Sequence, residues 1–276
     1  MAIRIVTDST ADLPPGEAGR LGITVVPLYV RFGDEVYRDR VDISEDEFYA
    51  RLERDTVHPG TTQPTPEDFA GVYRELAREA DGIVSIHISS KLSGTYSSAL
   101  QAKEIVGDIC HIEVIDSLWA SMGLGWLAMD AAAAASAGKG MQQIAEEARS
   151  MIPRIKYLGM FDTLKYLHLG GRIGKAKCLL GSALNIKPLL TLKGGEFHAV
   201  GRARTRSRGI ERLFEFARDA KDLSQITIVH STTPDDAQAL VERLSAVFPD
   251  IRISISRLGP VLGVHTGPGT MFVGVR

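Results

Sequence analysis

The sequence predicts an α/β fold: an N-terminal, mostly parallel sheet with helices on both faces, followed by a C-terminal α+β domain. Two observations carry this. In the first half, short β-branched runs alternate with segments of helical periodicity, as in a parallel sheet joined by crossover helices. In the second half, the turn Lys193-Gly194-Gly195-Glu196 joins two strands into a hairpin amid further helices and strands, a mixture that suits an α+β domain. The boundary is expected after the helix 141–151 and around Pro153, giving domains 1–154 and 155–276. No internal repeat or low-complexity linker is present.

The elements follow in order. Ile3 to Thr7 is a first strand, and Asp8-Ser9-Thr10-Ala11-Asp12 reads as a Ser-x-x-Asp helix start. Ile23 to Val30 reads as a second strand. Ser44-Glu45-Asp46-Glu47 is a capping box for a helix with Phe48 and Leu52 inward, and Thr65-Pro66-Glu67-Asp68 opens another whose Phe69, Val72, Tyr73 and Leu76 share a face. Two more strands, 83–88 and 112–115, flank a helix from Gly94 to about Val106. Leu118 to Gly138 is apolar enough to imitate a membrane span, but it is Ala-rich and holds Asp130, so it is read as a buried helix. After the hairpin, the chain predicts a helix from Arg208 to Ala220, a strand 225–230, a helix opened by Thr233-Pro234-Asp235, and strands at 251–256 and 271–275. Three N-terminal strands end in small polar residues (Thr7-Asp8-Ser9, Ser89-Ser90, Asp116-Ser117), and in open α/β sheets ligands bind at the carboxyl ends of strands.

Composition narrows the function. With 276 residues, 44% hydrophobic and 24% charged, the chain can bury a full core. A formal net charge of -2 argues against a dedicated nucleic-acid binder. Cys110 and Cys178 form no Cys-x-x-Cys pair, which fits a reducing cytoplasm and excludes a disulfide framework or a cysteine zinc site. The start, Met1 to Val6, is too short an apolar run for a signal peptide. No metal signature is present, and no Gly-x-Gly fingerprint follows the first strand.

Ser93-Gly94-Thr95 lies where a loop enters a helix, so hydroxyls and free N–H groups can converge on an anion; the bland alternative is a simple N-cap at Ser93. Gly60-Thr61-Thr62-Gln63-Pro64 is a second hydroxyl cluster, which taken alone is helix-entry punctuation. His265-Thr266-Gly267-Pro268-Gly269-Thr270 reads as a glycine-rich turn that leaves the His265 imidazole exposed near backbone donors. Gly170-Gly171-Arg172-Ile173-Gly174-Lys175 fails the phosphate-loop spacing and is followed by Ala176. Arg202, Arg204, Arg206 and Arg208 alternate; on an extended strand they would share one face, either a solvated edge, the reading favoured on sequence alone, or a docking surface.

Taken together, Thr7 to Leu13, Thr61-Thr62-Gln63-Pro64, Ser89 to Tyr96, Asp116-Ser117, Leu164 to Leu167 with Gly170-Gly171-Arg172-Ile173, Ile186-Lys187-Pro188 and His265 to Gly269 resemble the DegV family of bacterial fatty-acid-binding proteins, in family order over nearly the whole chain. Thr62 departs from the family pattern, which carries Ser there. The resemblance implies a two-domain carrier, without catalytic residues or cofactor, holding a long-chain fatty acid as ligand. It implies a carboxylate site at Thr61, Thr62, Ser93, Gly94, Thr95, His265 and Gly267. It also implies a partner fatty acid kinase that phosphorylates the bound carboxylate, with Arg172 and Arg204 facing the phosphate or the partner. Cytoplasmic location, no nucleic-acid partner and no integral membrane segment go with it, with transient membrane contact for lipid exchange. Two rival readings stand beside it: a serine hydrolase with Ser93 as nucleophile, His265 as base and Asp8 or Asp116 as orienter, and a regulatory module for another small anion.

Overall fold

Ile5 and Val6, successive residues of the first strand, turn into two separate cores, and this two-sidedness organises the N-terminal half. The computed structural model describes residues 2–179 and 186–276. Its first half runs β1 (Ile3–Asp8), α1 (Glu17–Leu21), β2 (Ile23–Val26), β3 (Tyr29–Phe32), β4 (Glu35–Arg38), α2 (Glu45–Arg54), β5 (Gly60–Thr62), α3 (Pro66–Leu76), β6 (Gly82–His87), α4 (Thr95–Val106), β7 (His111–Asp116), α5 (Met122–Ser136) and α6 (Met141–Met151). The order β2-β1-β6-β7 forms a wholly parallel sheet. Val6, Ile83 and Val114 face Phe69, Tyr73, Ala99 and Ala102 of α3 and α4. Ile5, Val84 and Ile115 face Leu124, Leu127 and Ile144 of α5 and α6. Strand residues buried on both faces explain the nearly unbroken apolar runs.

The second half runs β8 (Lys156–Met160), α7 (Lys165–Leu169), β9 (Lys187–Lys193), β10 (Glu196–Ala203), α8 (Arg206–Arg218), β11 (Gln225–His230), α9 (Pro234–Val247), β12 (Arg252–Arg257), α10 (Pro260–Thr266) and β13 (Met271–Val275). These strands form one mixed sheet, β10-β9-β8-β13-β11-β12, in which only β11 and β12 pair in parallel. One face carries α8 and α9 through Leu213, Ala217, Leu240 and Leu244. The other presents Tyr157, Phe161, Leu190, Phe197 and Phe272 to the same core that α5 and α6 build on the first sheet. That shared core puts the two sheets face to face across a continuous apolar layer. A small antiparallel sheet, β4-β3-β5, packs with α2 and with α10 around Val30, Phe48, Val261 and Val264, so α10 reaches back onto the N-terminal half.

Four expectations are corrected. Ile23 to Val30 is two strands in different sheets, broken around Pro27, whose missing N–H cannot continue a ladder. Asp8 to Asp12 is one 3-10 turn (Ser9–Ala11) capped by Asp8 and closed by Asp12 in the left-handed region at φ 49°; the helix begins only at Glu17. The arginines share no face: Arg202 lies on β10, Arg204 precedes the Thr205 cap, and Arg206 and Arg208 are in the first turn of α8. His265 sits in the last turn of α10, mostly buried, instead of in an exposed turn. The Leu118 to Gly138 stretch contains the 15-residue α5, and among the described residues no helix is long and apolar enough to cross a membrane.

Candidate functional site

Between the facing sheets lies a cavity of about 820 Å³ of unoccupied space, its open mouth included. Most of its wall is apolar and deeply buried: Ile88, Leu190, Leu258, Val261, Leu262 and Phe272. At one end the lining becomes polar and partly exposed, through Thr61, Thr62, Gln63, Ser93, Arg172 and His265. Four separate segments supply that end.

Ser93 is placed by a tight turn after β6. The amides of Leu92 and Ser93 both donate to Ser89 O, at 2.9 and 3.1 Å, while Ser89 Oγ donates to Gly195 O at the hairpin tip. Ser89 is therefore structural. Gly94, not Ser93, is the N-cap residue of α4, and its bare Cα lets the Gln63 amide approach, since a Cβ there would stand 2.9 Å from Nε2. Thr95 is fully buried; its amide donates to Ser93 Oγ at 3.3 Å and its hydroxyl bonds Ser93 Oγ at 2.8 Å. It orients Ser93 from behind the wall, and neither Gly94 nor Thr95 lines the cavity.

His265 Nε2 lies 2.9 Å from Thr61 Oγ1, a pair joined across the chain by the seating of α10 on the small sheet. Burial, then the Arg172 charge and His58, hold this imidazole down to about 3, so it is neutral at physiological pH. Nδ1 has no hydrogen-bond partner among the described residues and rests against Gly170, where a Cβ would overlap it. His265 Nε2 and Thr61 Oγ1 share one hydrogen bond, either group donating according to the imidazole tautomer. Gly267, at φ 76° after the helix, spends its amide on Gly263 O at 2.8 Å and packs on Tyr166, away from the cavity lining.

Arg172 donates through Nε to Leu92 O at 3.1 Å and through Nη1 to Gly170 O at 2.6 Å. Among the described residues no carboxylate pairs with it, and its hydrogen bonds go to these two carbonyl oxygens. Arg204 is exposed and outside the cavity. Arg206 is tied down by Asp162, Asp236 and Gly269 O.

The hydrolase arrangement is not assembled. Asp8 Oδ2 accepts from His87 Nδ1 at 3.0 Å and from Ile88 N at 2.9 Å, and Asp116 Oδ1 accepts from Ser90 N and Leu118 N, so neither orients His265. His87 Nε2 continues to Ser85 Oγ (2.7 Å) and Ser85 to Tyr73 OH (2.8 Å), but every member of this chain is sealed from solvent and it serves as a brace between β1, β6 and α3.

Beneath the cavity lies a hub with no sequence signal. Asp12 accepts from Ser121 Oγ (2.6 Å), Gly259 N (2.9 Å) and Arg40 Nη2 (3.1 Å), and Arg40 also donates to Arg257 O (2.6 Å). It fastens the start of α10, and hence His265, to the N-terminal half. Burial raises Asp12 to about 6 and neighbouring Asp39 to about 7 against the pull of Arg40. Gln63, Ser121 and Tyr157 are cavity residues outside the predicted site; Gln63 alone had a signal, its place in the Thr61-Thr62 cluster.

A family model described as "uncharacterised protein, DegV family" matches residues 2–276. A DegV domain-containing protein of Streptomyces coelicolor is 40% identical over 276 residues, covering 98% of this chain and 97% of that protein. A DegV family protein from Thermus thermophilus, described by its fatty acid binding, superposes with a TM-score of 0.92 at 38% identity, covering 100% of this chain and 99% of its own. DegV of Bacillus subtilis, described as a fatty acid binding protein, also has a TM-score of 0.92, at 31% identity and the same coverage.

Proposed function

This chain belongs to the DegV family, and from that premise we propose that it is a non-enzymatic, cytoplasmic carrier that binds one long-chain fatty acid and presents its carboxylate to a fatty acid kinase. The observation that carries the reading is the cavity's polarity: a buried apolar wall ending in one half-exposed cluster of hydroxyls, a neutral His265 and an Arg172 that pairs with no carboxylate among the described residues. An acyl chain gains about 0.8 kcal/mol per buried CH₂, so a dozen methylenes supply on the order of 10 kcal/mol of gross attraction. The head end has only to offset carboxylate desolvation and fix the end of the chain.

In this reading the carboxylate accepts from Ser93 and Thr61, with His265 aligning Thr61 from behind and Arg172 supplying the counter-charge. Thr62 and Gln63 form the outer rim. We take 1–154 and 155–276 as the two domains, so the ligand lies at their junction. Arg204, exposed and outside the cavity, is assigned to the kinase-facing surface.

The test is native mass spectrometry of protein purified without added lipid, followed by extraction of the bound species. A one-to-one adduct of fatty-acid mass, removed by delipidation and restored by adding stearate or oleate, supports the carrier. Protein that stays empty and takes up neither acid refutes it.

A further inference from the structure

The bare Cα of Gly94 serves a neighbouring side chain and not its own backbone. Its φ of -74° and ψ of 1° suit any L residue, so no turn there demands glycine. What the missing Cβ admits is the carboxamide of Gln63, which rests against Gly94 with its nitrogen nearest: a Cβ would stand 2.9 Å from Nε2, 3.1 Å from Cδ and 3.6 Å from Oε1. Gln63 is exposed and lines the polar end of the cavity, directly after Thr61 and Thr62 of β5 and against the turn that carries Ser93. A ligand head in the mouth can therefore reach it. Its backbone is pinned on both sides, by the pairing of Thr62 with Tyr29 and by buried Pro64 ahead of the Thr65–Asp68 capping box. Among the described residues neither carboxamide atom has a hydrogen-bond partner, so both Nε2 protons are free for a ligand.

We infer that Gln63 is a third donor to the ligand carboxylate, bridging the Thr61 and Ser93 segments over the head group, and that Gly94 lacks a side chain in order to seat it. The carboxamide supplies N–H donors without adding charge, so it favours an anionic head while Arg172 carries the counter-charge. This deepens the carrier reading above and rests on it.

The experiment titrates stearate into delipidated wild-type protein, Gln63→Ala, Gln63→Glu, Gly94→Ala and the Gln63→Ala/Gly94→Ala double variant, with circular dichroism confirming that each is folded. Gln63 is exposed, so its two variants should fold. Gln63→Ala should bind about fivefold more weakly, the equivalent of about 1 kcal/mol. Gln63→Glu keeps the shape but turns the donors into a like charge, and should bind about tenfold more weakly or worse. Gly94→Ala should cost about fivefold in the wild-type background but less than about twofold in the Gln63→Ala background, where the amide it displaces is already gone. Either Gln63 variant binding within about twofold of wild type, or a Gly94→Ala cost equal in both backgrounds, overturns the inference while leaving the carrier reading intact. Failure of stearate itself to bind wild-type protein overturns both.

Discussion

Gly170→Ala isolates the role of His265 without touching a polar group. Gly170 has φ -75° and ψ -7°, a conformation Ala adopts freely, and its amide bond to Tyr166 O is unaffected, so the backbone should not object. The new methyl, however, would overlap Nδ1 of His265 and stand 2.8 Å from Cε1 and 3.2 Å from Cγ. Relief requires the mostly buried ring to move by more than half an ångström at Cε1, away from Gly170, at the expense of its 2.9 Å contact with Thr61 Oγ1. Overpacking of this kind costs about 1–3 kcal/mol of stability, and the lost or bent hydrogen bond about 0.5–1.5 kcal/mol. If His265 aligns Thr61 for the carboxylate, stearate affinity should fall about fivefold, the equivalent of about 1 kcal/mol, with a drop in Tm of roughly 2–4 °C for each kcal/mol of strain. Isothermal titration of delipidated protein and a thermal melt read the two effects separately. A variant that melts lower but binds stearate as tightly as wild type would show that the His265–Thr61 contact is packing only, and one unchanged in both would mean that the ring is not wedged against Gly170 at all.

Ser93→Ala removes a hydroxyl oriented by Thr95 at the rim; stearate affinity should fall by about fivefold with the circular dichroism spectrum unchanged, and intact affinity would remove Ser93 from the headgroup site. Arg204→Ala should leave stearate binding as it is and slow acyl-phosphate formation by a fatty acid kinase several-fold, most visibly at low salt; equal transfer rates at every salt concentration would return Arg204 to the solvated surface. Asp39→Asn addresses the buried hub. Burial raises the folded-state pKa of Asp39 to about 7 from an ordinary 3.8, so its favourable contribution is present below about pH 4 and is lost as pH rises through 7. Urea unfolding should therefore find the variant gaining on wild type from pH 5 to pH 8, and a stability difference independent of pH would contradict the burial of an ionisable Asp39.

Much of the scaffold was legible because its causes are local. The alternation of apolar runs with capped, amphipathic segments identified β1, β6, β7 and the helices between them, and Gly194-Gly195 marked the hairpin of β9 and β10. Asp130 near the middle of an Ala-rich stretch distinguished α5 from a membrane span, and in the structure it pairs with Arg276. The order of short motifs along the chain pointed to the family before any geometry was known. Local reasoning failed where the partner was distant. Asp12 looked like part of a helix start, yet its carboxylate is satisfied by Ser121, Arg40 and Gly259, none of them near it in sequence. The alternation of the four arginines suggested one face, but the Thr205 cap turns the chain into a helix midway.

The candidate site divides along the same line. By itself the sequence determined the chemical inventory: hydroxyls at Thr61 and Ser93, an imidazole at His265 and a guanidinium at Arg172. Only the tertiary structure decided that Thr61 and His265, 204 residues apart, touch, that the imidazole is neutral, and that Arg172 lacks a carboxylate partner among the described residues. The physical reason is that residue identity and short-range pattern set local propensity, whereas charge state and pairing depend on burial and on neighbours that only the packing of two sheets and α10 brings together.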